Sequence, residues 1–158
     1  MLYDPKKTAL VAIDLQARVM GMTLAPHGAQ SVVDQTAAIA RRLREAGGTL
    51  VYVRVGFSEG FADALRQPVD AAMQRAPGAN PTDGMDYAPA FDELPPDVWI
   101  TKRQWGAFHG TELDLQLRRR GIDTIILTGI ATNFGVEQTA REAWQHGYAV
   151  IIPEDACK

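Results

Sequence analysis

Three places along the 158-residue chain could do chemistry. Asp14 follows directly on the apolar run Thr8-Ala9-Leu10-Val11-Ala12-Ile13, and a carboxylate at the rim of such a run loses hydration unless something compensates it. The alternative is a helix cap or a loop turn. Lys102 lies just beyond Val98-Trp99-Ile100 in the stretch Lys102-Arg103-Gln104-Trp105-Gly106-Ala107-Phe108. Its ammonium can stabilise an ionised acid or a developing oxyanion, or it is a solvated surface lysine. The third place is Gly129-Ile130-Ala131-Thr132-Asn133-Phe134-Gly135, a turn into a helix whose free N–H groups would face bound negative charge. Spacing by itself leaves a site and a set of caps and surface charges both open.

The elements that must position these groups alternate along the chain. Short β-rich apolar runs recur at Thr8 to Ile13, Thr49 to Val55, Val98 to Ile100, Thr124 to Ile130 and Tyr148 to Ile152. Most lack clean alternation and read as strands buried on both faces. A helix is predicted over 31–46, where Val32, Thr36, Ile39, Leu43 and Ala46 share a face, Ser31 and Asp34 fit a capping box, and Gly47-Gly48 supplies the stop. A shorter one opens at Thr111-Glu112-Leu113-Asp114, buries Leu113 and Leu117 and stops at Gly121. The preceding Arg118-Arg119-Arg120 complements the helix dipole as a solvated end. A third follows Thr132-Asn133 with Val136, Ala140 and Ala143 on one face. This alternation predicts a doubly wound α/β fold, a parallel sheet with helices on both faces joined by right-handed crossovers. Ligands in such sheets bind beyond the carboxyl ends of the strands, where Asp14, Lys102 and the 129–135 turn all fall. Residues 58–97 break the pattern with Pro68, Pro77, Pro81, Pro89, Pro95 and Pro96 and read as a loop-rich insert, a lid or an oligomer contact.

Length predicts one domain over 1–158. With 46% hydrophobic and 22% charged residues, the chain is neither collagen-like nor wholly disordered. Sixteen Lys and Arg against nineteen Asp and Glu leave a net charge of −3, which offers no broad basic field to nucleic acid or to an anionic membrane. The one cysteine, Cys157, excludes an internal disulfide, and the first apolar run is too short for a signal peptide or a membrane span. A soluble, cytoplasmic protein is expected. His27, His109 and His146 are scattered, so no metal site and no cofactor is predicted.

Taken together, Thr8 to Gln16, the stretch from Lys102 through Phe108 to His109-Gly110-Thr111, and Gly129 to Ala140 resemble the isochorismatase-like hydrolase family. The match in order and separation covers residues 8–157 apart from the proline-rich insert. The resemblance implies that Asp14 is the catalytic carboxylate, that Lys102 is the catalytic lysine and that Gly135 stands where relatives carry a cysteine nucleophile. It further implies substrate contacts at Gln16, Phe108, Ala131 and Asn133, a cis peptide at Ile130-Ala131 aiming the N–H groups of Ala131 and Gly135, and no cofactor. Cys157 matches an ordinary Asp-Ala-Cys stretch and is not nominated as the missing thiol.

Gly135 has no side chain with which to attack, so the amidase route through a thioester is closed to it. Relatives acting on isochorismate also lack the thiol, and there the Asp protonates a vinyl ether, chemistry that Asp14, Gln16 and Lys102 would suit. No arginine clearly matches a dicarboxylate-binding segment; Arg54, Arg66, Arg75 and Arg103 are candidates. Relatives continue past the fifth strand, so either a shortened form or cover by partner subunits is expected, and a homo-oligomer with a small-molecule substrate follows. Two further readings stay open. One is a binding or regulatory protein that keeps the pocket without turnover. The other is a phosphoacceptor module, against which Asp14 lacks the usual acidic neighbour.

Overall fold

The run Thr8–Ile13 forms β1, buried at every position. Its parallel neighbours are Thr49–Val55 (β2) on one side and Thr124–Gly129 (β4) on the other. Val98–Lys102 (β3) lies outside β2 and Ala149–Ile151 (β5) outside β4, which completes a five-stranded parallel sheet ordered β3-β2-β1-β4-β5. The computed structural model describes residues 3–22, 25–71 and 78–158.

Alternate side chains of β1 point to opposite faces, as strand geometry requires. Ala9, Val11 and Ile13 pack with Leu113, Leu117, Val136 and Ala143, so Leu113–Arg119 (α3) and Glu137–Gln145 (α4) cover one face. Leu10 and Ala12 pack with Val32, Val33, Ala37 and Ala40 of the long helix Ala29–Glu45, which covers the other. Preceding it is a single turn, Ala17–Met20 (α1), so the long helix is α2. This is the doubly wound α/β sheet expected from the alternation. Because β2 and β4 flank β1 on opposite sides, the connections diverge there and open a crevice at the carboxyl ends of β1 and β4.

Local details differ from expectation in instructive ways. Helix α2 starts at Ala29, so Ser31 and Asp34 lie inside its first turns; Gly28 is the N-cap with no side-chain cap, and Asp34 instead accepts a bond of 2.8 Å from Gln30 Nε2. The C-terminal stop is as expected, with Gly47 at φ 84° and the Gly48 N–H donating to Leu43 O. In α3 half of the capping box forms: Thr111 Oγ1 accepts from Leu113 N, while Asp114 turns to Arg118 and Tyr148. Arg118 is not simply solvated, since its guanidinium lies 4.4 Å over the Tyr148 ring. Strand β3 runs two residues further than expected because its ladder to β2 continues through Val55 and Lys102. The outer strands are not buried on both faces, with Trp99 of β3 and Ala149 of β5 exposed at the sheet's edges.

The largest departure concerns the insert. Residues 72–77, with Arg75 and Pro77, lie outside the described part, but the stretch from Tyr87 onward builds core. Tyr87 stacks on Tyr52 at 5.1 Å and meets Phe91 and Trp99 edge-on, an aromatic cluster packed against this face of the sheet. Its hydroxyl donates to Ala12 O at 2.8 Å, its backbone bridges Gln16, and Tyr52 Oη donates to Leu94 O at 2.7 Å. Prolines hide this packing from pattern reading because they break periodicity without preventing burial. Tyr87→Ala should therefore lower unfolding free energy by about 3 kcal/mol, as loss of a packed ring does. Tyr87→Phe should cost about 1 kcal/mol for the hydroxyl. Urea denaturation checks both, and a mobile lid would give nearly zero for each.

Candidate active site

Asp14 is the first residue past β1. Its N–H still donates to Val53 O at 2.9 Å, continuing the ladder, while its own φ of 54° turns the chain out of the sheet. Aspartate is among the few residues that tolerate this left-handed conformation, and such outliers cluster at functional positions. Lys102 is the last residue of β3, two strands away, and its side chain crosses the end of β2. Lys102 Nζ reaches Asp14 Oδ2 at 2.7 Å, with both side chains more than nine-tenths buried. The ammonium also donates to Gln104 O at 3.2 Å. Asp14 Oδ1 is buried with no hydrogen-bond partner among the described residues. Burial pushes the Asp14 carboxyl above its ordinary range, against the opposing charge and hydrogen bond of Lys102 and the charge of Arg18 on α1.

The end of β4 closes over this pair. Gly129 has φ 122°, and a Cβ there would sit 2.1 Å from Ile13 O, so only glycine lets the two strand ends approach. The Ile130–Ala131 peptide is cis, as the resemblance implied, and the Ala131 N–H has no hydrogen-bond partner among the described residues. A π-helical turn over Thr132–Val136 then leads into α4 and carries Gly135 inward. A Cβ at Gly135 would lie 3.5 Å from both Asp14 Oδ2 and Lys102 Nζ, and 2.9 Å from Ile13 Cγ2. Any side chain at position 135 would therefore begin against both members of the ion pair.

The remaining expected site residues divide. Ala131 is half-buried at the end of β4. Gln16 is fully buried, but its amide is committed to backbone: Oε1 accepts from Val55 N at 2.8 Å, and Nε2 donates to Val55 O and Gly84 O. It braces β2 against the insert. Phe108 packs its ring on His146 at 5.0 Å and close to Tyr148, in the core between α3 and α4. Asn133 is exposed and lines a shallow cavity of about 390 Å³ with Val136, Ala140 and Ile152. Arg54 lies over Trp99, and Arg103 pairs with Asp63. Arg66 lines a groove of about 1010 Å³ with Leu65, Trp105 and Glu142. Cys157 is buried beside β4, its thiol pushed up to about 11 by that burial, and does not substitute at position 135. Sequence reasoning missed Arg18 and Tyr87, both of which act electrostatically with Asp14. The spacing of Asp14 and Arg18 across a strand-to-helix turn was the one available signal. Among the described residues no group of three His, Cys, Asp or Glu side chains could hold a metal ion, and no helix is long and apolar enough to cross a membrane.

Known proteins are similar to this chain in sequence and fold. The isochorismatase domain profile matches residues 8–158. The uncharacterized isochorismatase family protein YecD of Escherichia coli O157:H7 is 49% identical over 154 residues, spanning 98% of this chain and 81% of that protein. The ureidoacrylate amidohydrolase RutB of Caulobacter vibrioides is 30% identical over 174 residues, spanning 97% and 77%. The structure of an isochorismatase family protein from Burkholderia thailandensis superposes with a TM-score of 0.88 at 43% identity, covering 96% of this chain and 79% of that one. Fold, profile and relatives agree, and the phosphoacceptor reading gives way to them: this chain belongs to the isochorismatase family of hydrolases.

Proposed function

We propose that the chain hydrolyses a small anionic or cyclic substrate by acid–base chemistry carried by Asp14 and Lys102, without a covalent intermediate on the protein. The observation that supports this reading is the buried 2.7 Å ion pair facing a glycine at position 135. A nucleophile cannot come from Gly135, so water must attack. Asp14 takes the proton from that water and returns it to the leaving group as the bond breaks. Lys102 holds the carboxylate in place and offsets negative charge as it develops on the substrate. The 30% identity to a protein named for hydrolysing ureidoacrylate, itself a small anion, favours a C–N bond. Cleavage of a vinyl ether would use Asp14 as the acid instead, with an anionic substrate offsetting the lysine's field. A cytoplasmic location belongs to the same reading. So does assembly with further copies of the chain, which is supported by the open edges of β3 and β5.

Glycine at position 135 also supports a second reading, in which the pocket binds a small ligand and turnover has been lost. Calorimetry that detects binding of an amide or ureide with no product formed would favour it.

Asp14→Asn should slow hydrolysis of small amides and ureides by about 10²- to 10⁴-fold, and equal rates in wild type and variant would reject the proposal. Because burial raises the carboxyl, and a base works only when ionised, kcat/KM should climb with pH through a midpoint above the ordinary value of 3.8. A fall over the same range would assign Asp14 the acid role. Gly135→Cys should yield a thiol alkylated by iodoacetamide at neutral pH at least about tenfold faster than Cys157, since thiolate character and access set the rate. Mass spectrometry of the modified peptides reads the ratio.

A further inference from the structure

The loop that follows Lys102 is fastened to α4 at two successive residues. Ala107 N donates to Thr139 Oγ1 at 3.1 Å, and Phe108 N donates to Glu142 Oε2 at 3.1 Å. Thr139 and Glu142 are three apart on α4 and so share a face. The Thr139 hydroxyl is fully buried and donates in turn to Gly135 O at 2.6 Å. One side chain thus ties the lysine's loop to the backbone of the residue that closes over the ion pair. Gly106 completes the fit, because a Cβ there would lie 2.2 Å from Glu142 Oε1. Gln138 Nε2 holds that same oxygen at 3.0 Å. Within the loop, Gln104 accepts from Lys102 Nζ through its carbonyl and donates through its amide to Gly106 O and His109 O. The bonds therefore run without a break from α4 to the ammonium.

We infer that Thr139 and Glu142 are positioning residues: they hold the Lys102 loop and the Gly135 turn in one register and so set where the Lys102 ammonium meets Asp14. The inference rests on the reading of that pair as the working pair, but its measurement does not need turnover. A merely structural pair of hydrogen bonds would affect stability alone. A positioning role also changes the field at Asp14, because a loosened loop lets the ammonium withdraw. The other groups facing Asp14 are Arg18 from α1 and Tyr87 from the insert, and neither is fastened to α4.

The test is a carbon-13 NMR titration of the Asp14 carboxyl in the full chain, with Thr139→Val, Glu142→Ala, Thr139→Ser and Glu142→Gln compared with wild type. Loss of a close opposite charge raises a carboxyl by about one pH unit or more. Thr139→Val and Glu142→Ala should therefore each move the Asp14 midpoint upward by about that much. Thr139→Ser and Glu142→Gln, which keep an acceptor for the loop N–H groups, should return it close to wild type. Should Thr139→Val fail to fold, Glu142→Ala on the less buried side of the loop carries the same comparison. An unchanged midpoint in the folded variants overturns the inference, as does a shift that the conservative substitutions fail to reverse. Failure of the hydrolase reading would show separately, as Asp14→Asn with undiminished turnover.

Discussion

A carboxylate and an ammonium buried together are the constraint around which this structure is arranged. Removing two charges from water costs several kcal/mol each, and their attraction offsets this only with close geometry and further hydrogen bonds. Lys102 meets that demand with Asp14 Oδ2 and Gln104 O, whereas the second oxygen of Asp14 has no partner among the described residues. Burial and the lysine push the Asp14 carboxyl in opposite directions, with burial the stronger. A group balanced in this way is suited to giving and taking a proton, because modest changes in nearby charge move its equilibrium.

The sheet provides the geometry. Asp14 and Lys102 stand at the carboxyl ends of β1 and β3, and the lysine, level with Val55 at the end of the intervening β2, reaches Asp14 from two strands away. Gly135 arrives from β4 on the other side of β1, and this works only because Gly129 permits β4 to approach Ile13 more closely than any side chain would allow. Three segments separated by up to 121 positions therefore converge at the place where the strand order divides. The aromatic cluster around Tyr52 and Tyr87 supports the same end of the sheet from the opposite face, with Tyr87 bonded to the carbonyl two residues before Asp14.

Position 135 carries glycine, and its backbone lies against both members of the ion pair. The ion pair, the cis peptide after β4 and the π-helical turn surround it; on the proposed reading the glycine changes what attacks and leaves what holds the proton unchanged. On that reading water attacks the substrate directly, with no covalent intermediate on the protein. The rate of the proposed reaction would then depend heavily on how well Asp14 and Lys102 are placed.

Local patterns in the sequence were enough for the alternation of strands and helices, the polar groups at strand ends and, through three ordered motifs, the family. Periodicity and turn residues act over a few positions, so they can be read along the chain. Other features were set by packing between distant residues, which no local pattern encodes. Gln16 spends its amide on a strand 39 positions away, Phe108 fills a core between helices, and Tyr87 makes core from a proline-rich insert. Thr139 and Glu142 escaped notice for the same reason, since their partners lie over 30 residues earlier. The chain's order of residues determined which groups could react. Only the folded sheet decided which of them meet, because a 2.7 Å contact between side chains 88 positions apart depends on every strand lying between them.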